Sequence, residues 1–436
     1  MQDFLSKGAL IMEAYVNGII LDGNKNMTPQ YGKTLLVSDG KIAGILEEGA
    51  KLPAGCKVID LQGGYLLPGL INLHVHIPGS GEPKDAPIDP QQVAQMLTSS
   101  DEMREVLKKM YIEFAQVALN AGITTIRSVG GVELYDGWLR DEINAGKVLG
   151  PRVLTSNKAI SVPGGHAAGV FAYVAHDPEE ALAFEKEIEA AKPDLIKLMI
   201  TGGVLDADES GEPALKMSPE MVKACCDEAH KQGFYVAAHV ESSAGLKVAL
   251  ENGVDTIEHG AKTDEETIRL FKEKKAAVIT TISPTVPYAL FDPSVMAFSD
   301  NARRTAKVVM DGIIECAKAC LENDIPVGLG NDTGVDFITH YDFWRELVYF
   351  HKYCGVSNAF AIYTATKKNA EIAGIADETG TIEVGKSADF FVVEKNPLED
   401  LRALRDVKMV AIKGQLIEHP VINRYEKVER ELNKFL

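Results

Sequence analysis

Two histidines one residue apart, His74 and His76, close the apolar run LINLHVH at residues 70–76. Alternate residues of a strand share a face, so both imidazoles can reach one ion. An H-x-H pair alone is a weak signal, but three more residues end apolar runs in the same way. His239 ends YVAAHV, His259 ends TIEHG and Asp332 ends PVGLGND. Four imidazoles and a carboxylate make a nitrogen/oxygen donor set suited to zinc, with manganese, iron or nickel as further fits. Lys197 lies inside LIKLMI with apolar residues on both sides. Burial disfavours an ammonium and lowers its pKa, which leaves two readings. The amine snorkels to the rim on a buried stem, or it stays neutral and adds carbon dioxide to become a carbamate with two oxygens able to bridge two cations.

Four further residues are candidates for contact with a substrate. His166, on the glycine-rich loop VPGGHAAG, either donates a hydrogen bond to a carbonyl oxygen or oxyanion or faces solvent. Arg127, ending ITTIRSV, either pairs bidentately with a substrate carboxylate or forms a structural ion pair. Glu241, two residues after His239, either meets a cationic substrate group or faces solvent, and His340, soon after Asp332, is a weaker candidate. His176, His230, His351 and His419 read as ordinary polar residues. Cys316 and Cys320 lack two further soft ligands nearby and read as buried thiols.

The elements that must position these groups follow from hydrophobic patterning. Apolar segments at 70–76, 123–129, 152–157, 195–200, 235–240, 256–260, 277–283 and 326–332 read as strands. Amphipathic stretches such as EEALAFEKEIEAAK, SPEMVKACCDEAHKQG and DEETIRLFKEKK lie between them. That alternation predicts a parallel sheet covered by helices. Eight strands suit a (β/α)8 TIM barrel, a fold of about 250 residues whose active sites lie at the C-terminal strand ends, where the candidate ligands fall. A doubly wound open sheet is the competing topology, but no glycine fingerprint follows the first strand. Residues 1–66 and 379–436 have short, turn-punctuated strands and predict one β-sandwich built from both termini, with the barrel spanning 67–378.

The 436 residues carry 45 Lys plus Arg against 63 Asp plus Glu, a net charge of −18. An acidic balance argues against nonspecific binding to nucleic acid or an anionic membrane. No apolar run approaches the ~20 residues of a membrane span, and MQDFLSKGALIMEAYVNG does not read as a signal peptide. Six sparse cysteines exclude a disulfide scaffold. The expectation is a cytoplasmic enzyme acting on a small molecule.

HVH after the LLPGLIN lead-in, Lys197, His239 and His259, Asp332, and the terminal GTIEVGKSADFFVVEKNP together resemble the amidohydrolase superfamily. ITTIRSVGG, PGGHAAG and GVDTIEHGA are most similar to its imidazolonepropionase-like branch, which includes metal-dependent prolidases and other Xaa-amino-acid dipeptidases. The resemblance implies two divalent ions. His74, His76 and Asp332 would hold one, His239 and His259 the other, and carbamylated Lys197 would bridge them. It implies hydrolysis of a C–N bond in a dipeptide or N-acyl amino acid, with Asp332 moving the proton, His166 assisting, and a homo-oligomeric assembly. The lysine disfavours a deaminase; lactone or cyclic-amide hydrolysis is the second enzymatic expectation. A barrel kept only for assembly would have lost ligands, and here all six positions are filled. One departure weakens the specific prolidase expectation: Glu241 stands where dipeptide-cleaving relatives often have Tyr or His.

Overall fold

The computed structural model describes residues 12–84, 89–204, 206–207 and 211–436. The first eleven residues of the stretch tested for a signal peptide lie outside this set.

Eight wholly buried strands form the centre: β1 Leu70–Val75, β2 Ile123–Ser128, β3 Arg152–Thr155, β4 Ile196–Met199, β5 Val236–Val240, β6 Thr256–His259, β7 Ala277–Thr280 and β8 Val327–Leu329. Parallel ladders join β1 to β2 to β3, and β4 through to β8. Two hydrogen bonds carry the chain from the first group to the second: Asp194 donates from its backbone to the Thr155 carbonyl, and Thr155 N–H donates to the Asp194 carboxylate, both at 2.8 Å. A short strand, Ala159–Ser161, also pairs with β4. The circle closes where Asp332 N–H donates to the His74 carbonyl and His76 N–H donates to the Thr333 carbonyl, each at 2.9 Å. Closure therefore sets Asp332 beside the two histidines that end β1. The result is a (β/α)8 barrel, whose strands, covered on both faces, read as near-continuous apolar runs.

Helix starts follow local chemistry. Ser100, Asp177, Ser218 and Asp264 each accept a hydrogen bond from a first-turn N–H, and prolines open Pro178–Ala190 and Pro219–Gln232. Helix Phe343–Cys354 buries Phe343, Trp344, Leu347 and Phe350, so its aromatics are packing groups.

Two sheets lie apart from the barrel strands. One has the order Lys41–Leu46, Thr34–Ser38, Glu13–Val16, Lys57–Asp60; the other runs Gln415–Ile417, Val407–Ile412, Phe390–Val393, Tyr65–Pro68, Ile19–Ile20. The second joins both ends of the chain through the antiparallel pairing of Tyr65–Pro68 with Phe390–Val393. Tyr15, Leu35, Ile59, Leu66, Phe390 and Val392 fill a shared core, with Tyr15 edge-on to Phe390 at 4.9 Å. Arg152 of β3 ties these sheets to the barrel through a buried 2.9 Å ion pair with Asp389. One part of 379–436 departs from the expected β texture: Glu426–Leu432 is a helix whose Val428 and Leu432 pack against Phe337 and Tyr349. Glu429 also pairs with buried Arg345 at 3.1 Å, which fixes that helix on the barrel side.

The outer layer holds a buried acid. Glu185 is fully buried with the weak Cys225 thiol as its polar neighbour, and burial pushes its pKa up to about 8 against that contact. The folded state holds this proton more tightly than the unfolded chain, so stability falls as pH rises from about 4.5 to about 8. Glu185→Gln should flatten that slope and stabilise the protein above pH 8 by about 1–3 kcal/mol, the scale for a buried polar group without a strong partner. Thermal melts of both proteins from about pH 5 to about pH 9, the range the shift spans, measure it; parallel curves would assign the slope elsewhere.

Candidate active site

Seven side chains meet at the C-terminal strand ends: His74, His76, Lys197, His239, Glu241, His259 and Asp332. Their ligand atoms fall into two groups, His74/His76/Asp332 and His239/Glu241/His259, with the atoms of each group within 4.8 Å of one another. Either group has the geometry to hold a metal ion.

Each imidazole has one nitrogen tied to the scaffold. His74 Nδ1 donates to Glu258 Oε2 at 2.7 Å, His76 Nδ1 to the Gly130 carbonyl at 2.7 Å, and His239 Nε2 to the Gly202 carbonyl at 2.9 Å. His259 Nδ1 contacts Thr281 Oγ1 at 2.7 Å. In the first group the second nitrogens converge: Nε2 of His74 and Nε2 of His76 each lie 3.4 Å from Asp332 Oδ1. His259 stands with its ring 4.7 Å from His74 and 4.6 Å from His239. Holding one nitrogen fixes the tautomer and aims the other, which is how metal-ligating histidines are oriented.

Burial first, reinforced at His74 by Lys197, at His239 by His166 and at His259 by His74, holds the pKa of these three imidazoles well below the usual histidine range. They are neutral at physiological pH, the form that binds metal. Burial raises Asp332, but His74 and His76 outweigh it and keep the carboxyl ionised far below the ordinary aspartate range. Its side chain is 16% exposed against 1% for His74, so it is the group of this triad open to solvent.

Lys197 resolves one of the open sequence readings. The residue is 1% exposed and its Nζ is buried with no hydrogen-bond partner among the described residues, so the amine does not snorkel. Burial lowers its pKa to about 8, against the opposing pull of Glu258 and Asp332.

Two of these residues adopt backbone geometry rare outside glycine, His259 at φ +73° and Asp332 at φ +53°. Such conformations cost about 1–3 kcal/mol each and cluster at functional sites. Glycine is required at Gly330, against β1, where a Cβ would fall 2.4 Å from His74 Cβ.

His166 sits in the site, its ring stacked on His239 at 4.0 Å and nearly parallel; burial lowers its pKa to about 4. Glu241 also faces inward, 4.0 Å from His239 Nε2, with Oε2 lacking a hydrogen-bond partner. Burial, then Asp332, raises its pKa to about 8. Two expected substrate contacts are corrected. Arg127 is fully buried and spent on the scaffold, donating to the Leu73 carbonyl at 2.7 Å, Thr256 Oγ1 at 3.3 Å and Glu258 Oε1 at 2.7 Å. His340 donates from Nε2 to the Gly79 carbonyl at 2.8 Å and stacks on Phe114 at 5.2 Å, bracing the segment after β1 instead of facing the site.

The group missed from sequence is Glu258, fully buried, which links Arg127 to His74. A carboxylate inside an apolar strand, with an arginine inside another, was the available signal. Thr281 and Thr201 were missed as well; Thr201 Oγ1 accepts from the Glu241 backbone N–H at 3.0 Å.

This barrel carries a histidine, lysine and aspartate rim whose donor groups could hold metal ions, and the comparisons place it among hydrolases. The model of the amidohydrolase family matches residues 65–417, and the chain belongs to that family. It is similar to a candidate prolidase from Bifidobacterium longum (34% identity, TM-score 0.86, 98% of this chain and 99% of that one). A Xaa-Pro dipeptidase structure with methionine in its active site is also similar (30% identity, TM-score 0.80, 93% and 100%). Among curated proteins, the ochratoxinase of Aspergillus niger is 28% identical over 348 residues, covering 73% of this chain and 70% of that protein. The fold and family establish an enzyme acting on C–N bonds of small molecules. No helix among the described residues is long and apolar enough to cross a membrane.

Proposed function

We propose that this chain is a binuclear metal-dependent amide hydrolase cleaving dipeptides or related small amides. The observation that carries the proposal is the tethering of one nitrogen on each of four imidazoles, which leaves the other for a shared space bordered by Asp332 and an orphaned lysine amine. His74, His76 and Asp332 would hold one divalent ion and His239 and His259 the other, with carbamylated Lys197 between them. Neutral nitrogen and carboxylate donors fit zinc, with manganese, iron or nickel also compatible. Metal ions bound there supply an acidified water and a polarised carbonyl.

The protein's own groups do the rest. Asp332, ionised and partly open to solvent, accepts the proton released as the nucleophile attacks and delivers it to the departing amine. His166, held parallel to His239, donates a hydrogen bond to the oxygen on which negative charge develops. The Arg127–Glu258–His74 chain keeps one ligand in its working tautomer. Six free cysteines are compatible with the reducing cytoplasm.

Metal analysis tests the proposal directly. The purified protein should carry about two divalent ions per chain, and chelation should abolish hydrolysis of a dipeptide panel until metal is restored. Full activity in chelator at negligible metal content would refute it, and one ion per chain would remove the bridge.

Glu258→Gln should weaken metal retention about 10–100-fold, the effect of losing an oriented partner of a ligating histidine. Chelator-competition titrations read this independently of turnover; unchanged affinity would reduce Glu258 to a packing group.

A further inference from the structure

We propose that Glu241 receives the free α-amino group of the substrate, so that the preferred substrates are aminoacyl amides and peptides with an unblocked amino terminus, not N-acyl amino acids. This rests on the amide-hydrolase reading above and narrows it.

Glu241 is 9% exposed, and its Oε2 has no hydrogen-bond partner among the described residues. The nearest basic nitrogen, His239 Nε2 at 4.0 Å, is already committed to the Gly202 carbonyl. The Glu241 backbone is anchored by Thr201, so the side chain is presented from a fixed position. Gly203 lets His166 approach beside it: a Cβ there would lie 2.8 Å from His166 Nδ1 and 3.9 Å from Glu241 Oε2. A buried acceptor left without a donor is unfavourable unless its partner arrives with a ligand. The missing partner is a cation or a strong N–H donor.

Distance narrows which cation. Ligand atoms of His239, Glu241 and His259 lie within 4.8 Å of one another. A nitrogen held by Glu241 is therefore close to a carbonyl presented at His239 and His259. The α-amino nitrogen of an aminoacyl group lies two bonds, about 2.5 Å, from its carbonyl carbon. The terminal nitrogens of lysine and arginine side chains are several bonds farther and overshoot. A carboxylate at this place brings no donor for Glu241 Oε2. An N-acyl group replaces the ammonium with a neutral, bulkier amide where His166 is already stacked at 4.0 Å on His239. Arg127 offers no compensating cation, since its guanidinium is sequestered by Glu258.

The test is a panel of L-aminoacyl amides and dipeptides, each paired with its N-acetyl form, assayed on metal-loaded wild type and Glu241→Gln. Wild type should favour the free-amine member of each pair, and in Glu241→Gln that ratio should fall about 10–100-fold, the size of a lost charge-assisted hydrogen bond. Metal content should stay at the wild-type level. Preference for the N-acetyl forms, or equal loss on both members of a pair, overturns the inference while leaving the amide-hydrolase reading intact. Loss of metal from Glu241→Gln also overturns it and makes Glu241 a ligand. Hydrolysis of no member of the panel by wild type overturns both.

Discussion

Asp332→Asn lowers kcat by about 10²–10⁴-fold on every substrate, the usual loss when a positioned proton acceptor is removed. The substitution keeps the side-chain volume and an oxygen donor. It also leaves the backbone bond from Asp332 N–H to the His74 carbonyl untouched, so the barrel closure survives. It removes the charge that both His74 Nε2 and His76 Nε2 face at 3.4 Å. A proton acceptor acts after binding, so KM should move less than kcat. Steady-state kinetics on several amides, with metal content measured beside them, check this. A uniform fall in kcat at retained metal identifies the proton carrier, a parallel loss of metal makes Asp332 mainly a ligand, and wild-type turnover rejects both roles.

Why the candidate ligand positions are legible in the sequence and their supports are not has a physical reason. His74, His76, His239, His259 and Asp332 each end an apolar run, and barrel strands bring their C-terminal ends to one rim, so a repeated one-dimensional pattern maps onto one place. Glu258 has no such signature. Successive strand residues point to opposite faces, so a strand reading that aims His259 at the site aims Glu258 away. His259 leaves strand geometry at φ +73°, and both residues end up against His74. Arg127 leaves two readings open in the sequence because the carboxylate it pairs with lies 131 residues away, a pairing that only closure of the barrel creates. His340 follows Asp332 closely in the chain, but its loop turns back under Phe114 and Gly79. The helix Glu426–Leu432 was overlooked for a different reason. Its apolar spacing at Val428 and Leu432 is helical, but it follows strands and was absorbed into their texture.

Lys197→Ala should leave a protein that folds well and binds metal poorly. An isolated ammonium buried without a hydrogen bond is costly, and Lys197 Nζ has no such partner. Burial lowers its pKa to about 8, so near neutral pH an appreciable fraction is the free amine, the form that adds carbon dioxide. On the proposed reading the carbamate that results would be an anion facing neutral imidazoles and suited to holding two cations. Removing the side chain thus relieves a burden on the metal-free protein and deletes a ligand from the metal-bound one. Metal-free Lys197→Ala should melt no lower than metal-free wild type, whereas added metal should raise the melting temperature of wild type much more than that of the variant, because a ligand bound only by the native state stabilises in proportion to the logarithm of its affinity. A short carboxylic acid supplied with metal should occupy the vacated volume and restore part of both metal binding and turnover. Lys197→Ala that retained two ions and full turnover would assign the bridge to another group, with Glu241, whose Oε2 lacks a partner beside His239, the next carboxylate in position to supply it.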